Sequence, residues 1–448
     1  MSYDLVRGMY DILPDEIPWW QLVEDAVREM ARSYNYREIR VPLVEHTELF
    51  TRGVGEATDI VTKEMYTFQD RGERSLTLRP EGTASVARAY LTHGWQTSEP
   101  FQKLFYLGPM FRYEKPQKGR NRQFHQYGIE VLGALDPSVD AEVIAFAWSL
   151  MELLGLGGLR LRLNSIGCAA DRERYREILR MHFSRWIDEM CDDCRRRLGD
   201  NPLRILDCKE PGCERFIADA PGSADHLCPD CASHFEAVRA WLDRLELAYD
   251  IDPRLVRGLD YYTRTVFELM SSDLGAQDTL IGGGRYDGLI EMLGGPPTPG
   301  IGFAGGIERL VMVLQERQPG AVEVERLDLF IATLGEEGRR AGLKLATDLR
   351  ALGISVDVDH RARGLRKQLG QANDQKARYA LVVGDDEVKA ARGKLKDMDQ
   401  GGEREVSLDP ESLAELVYPA CDDGCDGTCD CDHEGGGGCG CEHDPGSS

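Results

Sequence analysis

Phe111-Arg112-Tyr113-Glu114, then Lys115-Pro116-Gln117-Lys118-Gly119-Arg120-Asn121-Arg122, then Phe124-His125-Gln126-Tyr127-Gly128-Ile129-Glu130 is the stretch from which the fold can be read. The apolar run 104–107 leads into its first part and 129–132 closes its last, so two sheet strands flank a long loop. A hairpin is the simplest geometry for that pattern. From Arg112 to Arg122 five bases (Arg112, Lys115, Lys118, Arg120, Arg122) stand against the single acid Glu114. An arginine at a strand end offers a bidentate fork that suits a phosphate, and a loop of this charge suits a longer polyanion. A solvated charged face is the other reading of the loop taken alone.

Working outward, residues 17–31 place Ile17, Trp20, Val23, Val27, Met30 and Ala31 at helical spacing, and 38–43 reads as a strand. Strand-like 75–78 leads to Arg79-Pro80-Glu81-Gly82-Thr83 and then a helix-like stretch, 84–91. Helices and strands mix irregularly here, which points to an α+β fold built on an antiparallel sheet with helices. A different rhythm begins near Leu327: strand 329–334, helix 336–352, strand 354–358, helix 365–377 and strand 379–383, a small α/β domain. The expected division is 1–325 with a mostly helical inserted region at 168–252, an α/β domain at 326–420, and a Cys/Asp/Gly-rich tail at 421–448. With almost nothing apolar to bury, the tail is expected to be disordered.

The 448 residues are too many for one ordinary core, and 42% hydrophobic with 29% charged describes a globular chain. No run approaches the roughly 20 apolar residues of a membrane span, and residues 1–14 lack a secretory pattern, so a cytoplasmic location is expected. The net charge of -23 argues against a nucleic-acid partner at first sight, but its distribution decides otherwise. Residues 422–444 carry Asp422, Asp423, Asp426, Asp430, Asp432, Glu434, Glu442 and Asp444 with no Lys or Arg, whereas Arg361, Arg363, Arg366, Lys367, Lys376 and Arg378 form a second basic window beside Asp374.

Pro80 and Gly82 hold a turn that can present Glu81 and Thr83, a carboxylate and a hydroxyl, to a small ammonium-bearing ligand, although the pentapeptide alone reads first as an ordinary capped turn. Gly300-Ile301-Gly302-Phe303-Ala304-Gly305 fits the dinucleotide fingerprint G-x-G-x-x-G, but residues 294–299 contain no apolar strand feeding the turn, so a nicotinamide site is rejected. The same run instead alternates small and apolar residues and leads into helix 310–317. Small side chains let a flat base or sugar approach the backbone, and Arg309 can reach a phosphate.

These residues carry a resemblance. Phe111-Arg112-Tyr113-Glu114 resembles motif 2 of class II aminoacyl-tRNA synthetases, and Gly302 through Arg309 resembles their motif 3, with Ala304 in place of a central glycine. Arg257-Gly258-Leu259-Asp260-Tyr261-Tyr262-Thr263-Arg264-Thr265-Val266-Phe267-Glu268 and Gly283-Gly284-Arg285-Tyr286-Asp287-Gly288 are similar to signatures of the histidyl-tRNA synthetase family. The resemblance covers essentially residues 1–420. It implies a class II catalytic core, a C-terminal α/β anticodon-binding domain, and synthesis of histidyl-adenylate from L-histidine and ATP with Mg²⁺, followed by transfer to tRNA(His). It further implies that Glu81, Thr83 and Gln126 bind the ammonium group, and that Glu130 and Tyr262 read the imidazole with Tyr261 and Tyr286 lining the pocket. On the same basis Arg112 and Arg309 meet the α- and γ-phosphates of ATP, with Gln126 and Glu130 bordering ATP, and Arg257 bridges the histidine carboxylate and the α-phosphate. Lys118, Arg120 and Arg122 would meet the tRNA acceptor stem. Helix 17–31 with Pro42 resembles the motif 1 region, which implies a homodimer. The synthetase-like regulatory subunit of ATP phosphoribosyltransferase shares this fold without aminoacylation, but it lacks the C-terminal domain and has eroded histidine signatures.

Of the 13 cysteines, Cys191-x-x-Cys194, then Cys208 and Cys213, then Cys228-x-x-Cys231 give two C-x-x-C pairs whose spacing is compatible with a structural tetrathiolate Zn²⁺ site; six reduced thiols are the alternative. Cys421, Cys425, Cys429, Cys431, Cys439 and Cys441, with His433 and His443, depart from the family pattern and look like a soft-metal-binding appendage.

Overall fold

The computed structural model describes residues 3–55, 58, 60–117, 119–271, 279–322 and 326–418. The tail 421–448 and Lys118 lie outside the described residues. The chain forms two compact units, Met1–Glu323 and Val324–Ser448.

In chain order the strands of the first unit are β1 (Arg37–Glu38), β2 (Val44–His46), β3 (Tyr66–Gln69), β4 (Ser75–Leu78), β5 (Gln102–Phe111), β6 (Gln123–Leu132), β7 (Leu159–Ser165), β8 (Tyr249–Ile251), β9 (Thr263–Ser271), β10 (Thr279–Arg285) and β11 (Gly300–Gly306). Eight of them make one sheet in the order β1-β5-β6-β11-β10-β9-β7-β8, and the other three pair as β2-β4-β3. The expected hairpin is present: β5 and β6 pair antiparallel from Gln102↔Leu132 to Phe111↔Gln123. The large sheet is antiparallel through its centre, while each edge strand, β1 on β5 and β8 on β7, joins parallel. The strand expected at 38–43 is shorter. Pairing stops at Glu38 and resumes at Val44 in the small sheet, because the chain crosses between sheets where Pro42 has no N–H to give.

The period of two along the strands decides what faces what. Tyr127, Ile129 and Val131 of β6, Phe267 and Leu269 of β9, and Ile301 and Phe303 of β11 pack into one core with helices Ile17–Ser33, Pro137–Leu153 and Ile307–Arg317. The alternate residues of those strands, among them Gln126, Ala304 and Gly306, are left to line a cavity on the other face. The glycine-rich run 300–306 is therefore itself a strand and not a phosphate turn. At Gly302 a Cβ would meet Glu130 Oε2 at 2.1 Å, which is why a residue of poor strand propensity is required there.

The inserted region is helical: Ala169–Phe183, Asp192–Asp200, Pro211–Ala218 and Pro229–Arg244. The second unit has β12 (Leu329–Thr333), β13 (Val356–Val358), β14 (Tyr379–Val383), β15 (Arg392–Asp397) and β16 (Glu403–Ser407) in the order β13-β12-β14-β15-β16. The first three are parallel and the last two antiparallel, with helices Gly335–Ala351 and Leu365–Asp374 as the crossovers. Within its basic window Arg363 is tied to Asp359, while Arg366, Lys367 and Lys376 are exposed.

Candidate active site

The cavity is lined by Glu81, Thr83, Arg112, Arg120, Gln126, Arg257, Tyr261, Tyr262 and Arg309, all singled out by the sequence. Glu81, Thr83 and Arg309 sit at helix starts, Arg112 at the end of β5, Gln126 on β6, Tyr261 and Tyr262 just before β9, and Arg120 and Arg257 in loops. Glu81 precedes helix Thr83–Thr92, and its carboxylate accepts from the backbone N–H of Thr83 (2.7 Å) and of Ala84 (2.8 Å), two of the donors a helix start leaves over. Burial nonetheless pushes its pKa up. The Tyr261 hydroxyl donates to Glu81 at 3.5 Å.

Glu130 and Tyr286 do not line the cavity; they lie buried directly behind it. Thr83 Oγ1 donates to Glu130 Oε1 at 2.6 Å, and the Tyr286 hydroxyl donates to Glu130 Oε2. This groups Glu130 with the tyrosines and not with the arginines, so the expectation that it borders ATP is not supported by its position. Burial is the main reason its pKa is raised to about 8, with nearby Glu81 adding to it against the two hydroxyl donors. The consequence for stability has a definite sign. Since the folded pKa exceeds the unfolded value of about 4.3, the stability this group lends falls as pH rises from there to about 8. Glu130→Gln is accordingly expected to gain in melting temperature over the parent protein when the pair is compared at pH 8.5 and at pH 5.5. An equal difference at both pH values would refute this.

Arg112 at the end of β5 donates from Nε to the Pro80 carbonyl at 2.8 Å and packs 5.2 Å from the Phe124 ring centre. Arg309 donates from Nη1 to the Thr279 carbonyl at 2.7 Å. Burial, then Arg120 and Arg112, draw the Arg309 pKa down: like charges are crowded on one partly buried wall, an arrangement that an anion relieves. Arg257 stands apart from that group, with Nη1 2.5 Å from Glu268 Oε1. It fits against the sheet because Gly282 sits directly across from Glu268; a Cβ on Gly282 would meet Arg257 Nη2 at 2.0 Å. Among the described residues, Gln126 Oε1 and Arg257 Nε are buried polar atoms without a hydrogen-bond partner.

Of the basic loop, Arg120 reaches the cavity, 3.6 Å from Glu114. Arg122 is occupied within the fold, with its guanidinium 3.7 Å over the Tyr113 ring and Nε on the Glu114 carbonyl at 3.2 Å. Sequence reasoning missed Arg204, which lines the same cavity from the inserted region, and Glu268, the partner of Arg257. Glu268 closes the signature that begins at Arg257, which was its signal; Arg204 sits in the short turn Pro202–Ile205 between apolar residues, with none.

An antiparallel sheet whose hairpin and last strand each bring an arginine to one cavity, with two buried carboxylates beside them, is the catalytic core of a class II aminoacyl-tRNA synthetase. The model of the family described as histidyl-tRNA synthetase matches residues 8–171 and 215–310, and that of an anticodon binding domain matches 328–417. A histidine--tRNA ligase of Caldanaerobacter subterraneus is 49% identical over 403 residues, covering 90% of this chain and 97% of that protein. One from Geobacter metallireducens is 49% identical over 412 residues, covering 92% of this chain and 99% of that protein. The apo crystal structure of S. aureus histidyl-tRNA synthetase is 42% identical, covers 93% of this chain and all of that one (100%), and superposes with a TM-score of 0.76. The chain belongs to the histidyl-tRNA synthetase family. A Bacillus halodurans structure described as an ATP phosphoribosyltransferase regulatory subunit/histidyl-tRNA synthetase is 22% identical with a TM-score of 0.62, a likeness of fold alone.

Proposed function

We propose that this protein is a histidine--tRNA ligase: it activates L-histidine with ATP to histidyl-adenylate and pyrophosphate, then transfers histidine to the 3' end of tRNA(His). The observation that carries the reading is a buried Thr83–Glu130–Tyr286 hydrogen-bonded chain directly behind a cavity that arginines line. On this reading Glu81, Thr83 and the unpaired Gln126 carbonyl take the ammonium group. Glu130 and Tyr262 discriminate the imidazole, since an apolar side chain would leave buried polar groups unpaired and be rejected strongly.

Arg257 takes the histidine carboxylate and the α-phosphate, while Arg112 and Arg309 take the phosphates of ATP. The carboxylate is already ionised, so no general base is needed. Its oxygen forms a bond to the α-phosphorus as the bond to pyrophosphate breaks, and the protein contributes alignment and charge neutralisation. Glu114, beside Arg112 and Arg120, is an oxygen donor of the kind Mg²⁺ takes and would hold it; when bound, the ion offsets charge on the departing pyrophosphate. A tRNA ribose hydroxyl then attacks the acyl carbon and AMP leaves.

The remaining parts follow the same reading. Arg120 and Lys118 meet the acceptor stem, the exposed bases Arg366, Lys367 and Lys376 serve the anticodon end, and a second copy of the chain covers the exposed apolar residues Leu43, Val44 and Phe68. The place of action is the cytoplasm; among the described residues no helix is long and apolar enough to cross a membrane. The test is ATP–pyrophosphate exchange with each amino acid in turn. Exchange with histidine alone is expected. No exchange by folded protein with magnesium present would pass the case to the regulatory-subunit reading.

A further inference from the structure

The two C-x-x-C pairs expected to share one metal ion do not meet. Cys191 and Cys194 gather with Cys208 and Cys213, whereas Cys228 and Cys231 gather with Cys168 and Asp171, the ligand atoms of each group lying within 4.8 Å of one another. The two groups differ in chemistry. In the second, the Asp171 carboxylate already accepts from the backbone N–H of Cys228 (3.0 Å) and of Cys168 (3.3 Å) and pairs with Arg174. It caps helix Ala169–Phe183, and its oxygens are in use.

The first group consists of four thiols. Cys191 and Cys194 sit at the start of helix Asp192–Asp200, Cys208 follows the turn Pro202–Ile205, and Cys213 opens helix Pro211–Ala218. Cys191 Sγ and Cys208 Sγ are 3.8 Å apart. A tetrahedron of sulfurs about 2.3 Å from a central ion has edges of about 3.8 Å, whereas a disulfide needs about 2.05 Å and would use only a pair. The Cys191 backbone N–H donates to Cys213 Sγ at 3.3 Å, a contact that supports thiolate charge. These residues fall in 172–214, between the segments that the family model matches.

The segment between the second and third cysteines touches the active site. Asn201 Nδ2 donates to Asp260 Oδ1 at 2.9 Å. Arg204 Nη1 lies over Gly258, where a Cβ would come within 3.0 Å of it. Asp207, 3.6 Å from Arg204, ties that arginine to the residue before Cys208.

We propose that Cys191, Cys194, Cys208 and Cys213 bind one zinc ion as a closed tetrathiolate, and that this ion clamps segment 201–208 against segment 257–260. Binding releases the thiol protons to solvent. Asn201, through Asp260, then acts as a positioning residue for segment 257–260. The site stands on its own geometry; the clamp rests on the role given to Arg257 above.

Zinc content of the full chain provides the test. Cys208→Ser with Cys213→Ser is expected to hold one zinc per chain fewer than the parent protein, while Cys228→Ser with Cys231→Ser holds as much. The tail cysteines are common to all three proteins and cancel in the difference. Unchanged zinc in the first variant, or a loss in the second, overturns the site. Because the first variant could fold poorly, zinc is also returned to chelator-stripped parent protein. A higher melting temperature is expected, and no change overturns the site. For the clamp, Asn201→Ala is expected to keep its zinc and raise the KM for histidine in pyrophosphate exchange about tenfold with kcat less affected; unaltered kinetics overturns the clamp. Arg257→Ala with full zinc and undiminished exchange would instead sink the role given to Arg257.

Discussion

Arg257→Ala is expected to lower histidine-dependent pyrophosphate exchange by about a hundred- to a thousandfold, a loss of about 2.7–4 kcal/mol of transition-state stabilisation of the kind that one preorganised donor supplies. The guanidinium is held before substrate arrives: Glu268 fixes Nη1 at 2.5 Å, and the bare Gly282 backbone lets the plane lie against the sheet. A positive charge fixed in this way costs no reorganisation when charge develops at the α-phosphorus. Arg257→Lys should recover only part of the rate, because an ammonium cannot hold Glu268 and bridge two substrate groups with one planar fork. Exchange within tenfold of the parent protein for Arg257→Ala would remove this residue from the reaction.

Asp140→Ala is expected to destabilise the first unit by about 3 kcal/mol, because it strips the carboxylate from the Nε edge of a buried guanidinium. Arg285 and Asp140 are both 0% exposed, joined by Nε at 2.8 Å and Nη2 at 2.7 Å. Asp287, 3.2 Å from Arg285 Nη1, offsets part of the charge but does not reach the Nε edge that Asp140 holds. His234, 3.8 Å from Asp140, has its pKa pushed down to about 4, by burial first and then by Arg285, and stays neutral. Urea unfolding followed at its first transition measures the effect; a loss below about 1 kcal/mol would mean that water or a rearranged carbonyl takes over the guanidinium.

The hairpin was legible because a strand packed only into a core has no use for so many bases at its end, and the small α/β domain because its apolar runs alternate with helical ones. The pocket was legible only through long signatures, Arg257 to Glu268 and Gly283 to Gly288, since single residues such as Glu81 look like ordinary turn residues. Other features depend on tertiary approach and leave no local trace. Asn201 and Arg204 lie at a turn too short to show periodicity, and their meeting with residues 257–260 follows from how the insertion folds back. A C-x-x-C pair specifies half a site; which other cysteines complete it depends on helix packing, which is why the pairs at 191 and 228 were joined in sequence and separated in space. The strand at 300–306 was hidden because glycine disfavours strands, and the demand for it comes from Glu130 on the neighbouring strand.

Arg285 and Tyr286 are adjacent, and they do different things: one is locked to Asp140 in the core, the other reaches Glu130 behind the pocket. Their backbones are inseparable, so any redesign that recodes the pocket for another amino acid must move the tyrosine without turning the strand that carries the anchor. Drift in this signature is therefore constrained twice, by what the enzyme selects and by whether it folds, and changes of selectivity should be reached more readily through Tyr262, which borders the cavity and has no such anchor beside it.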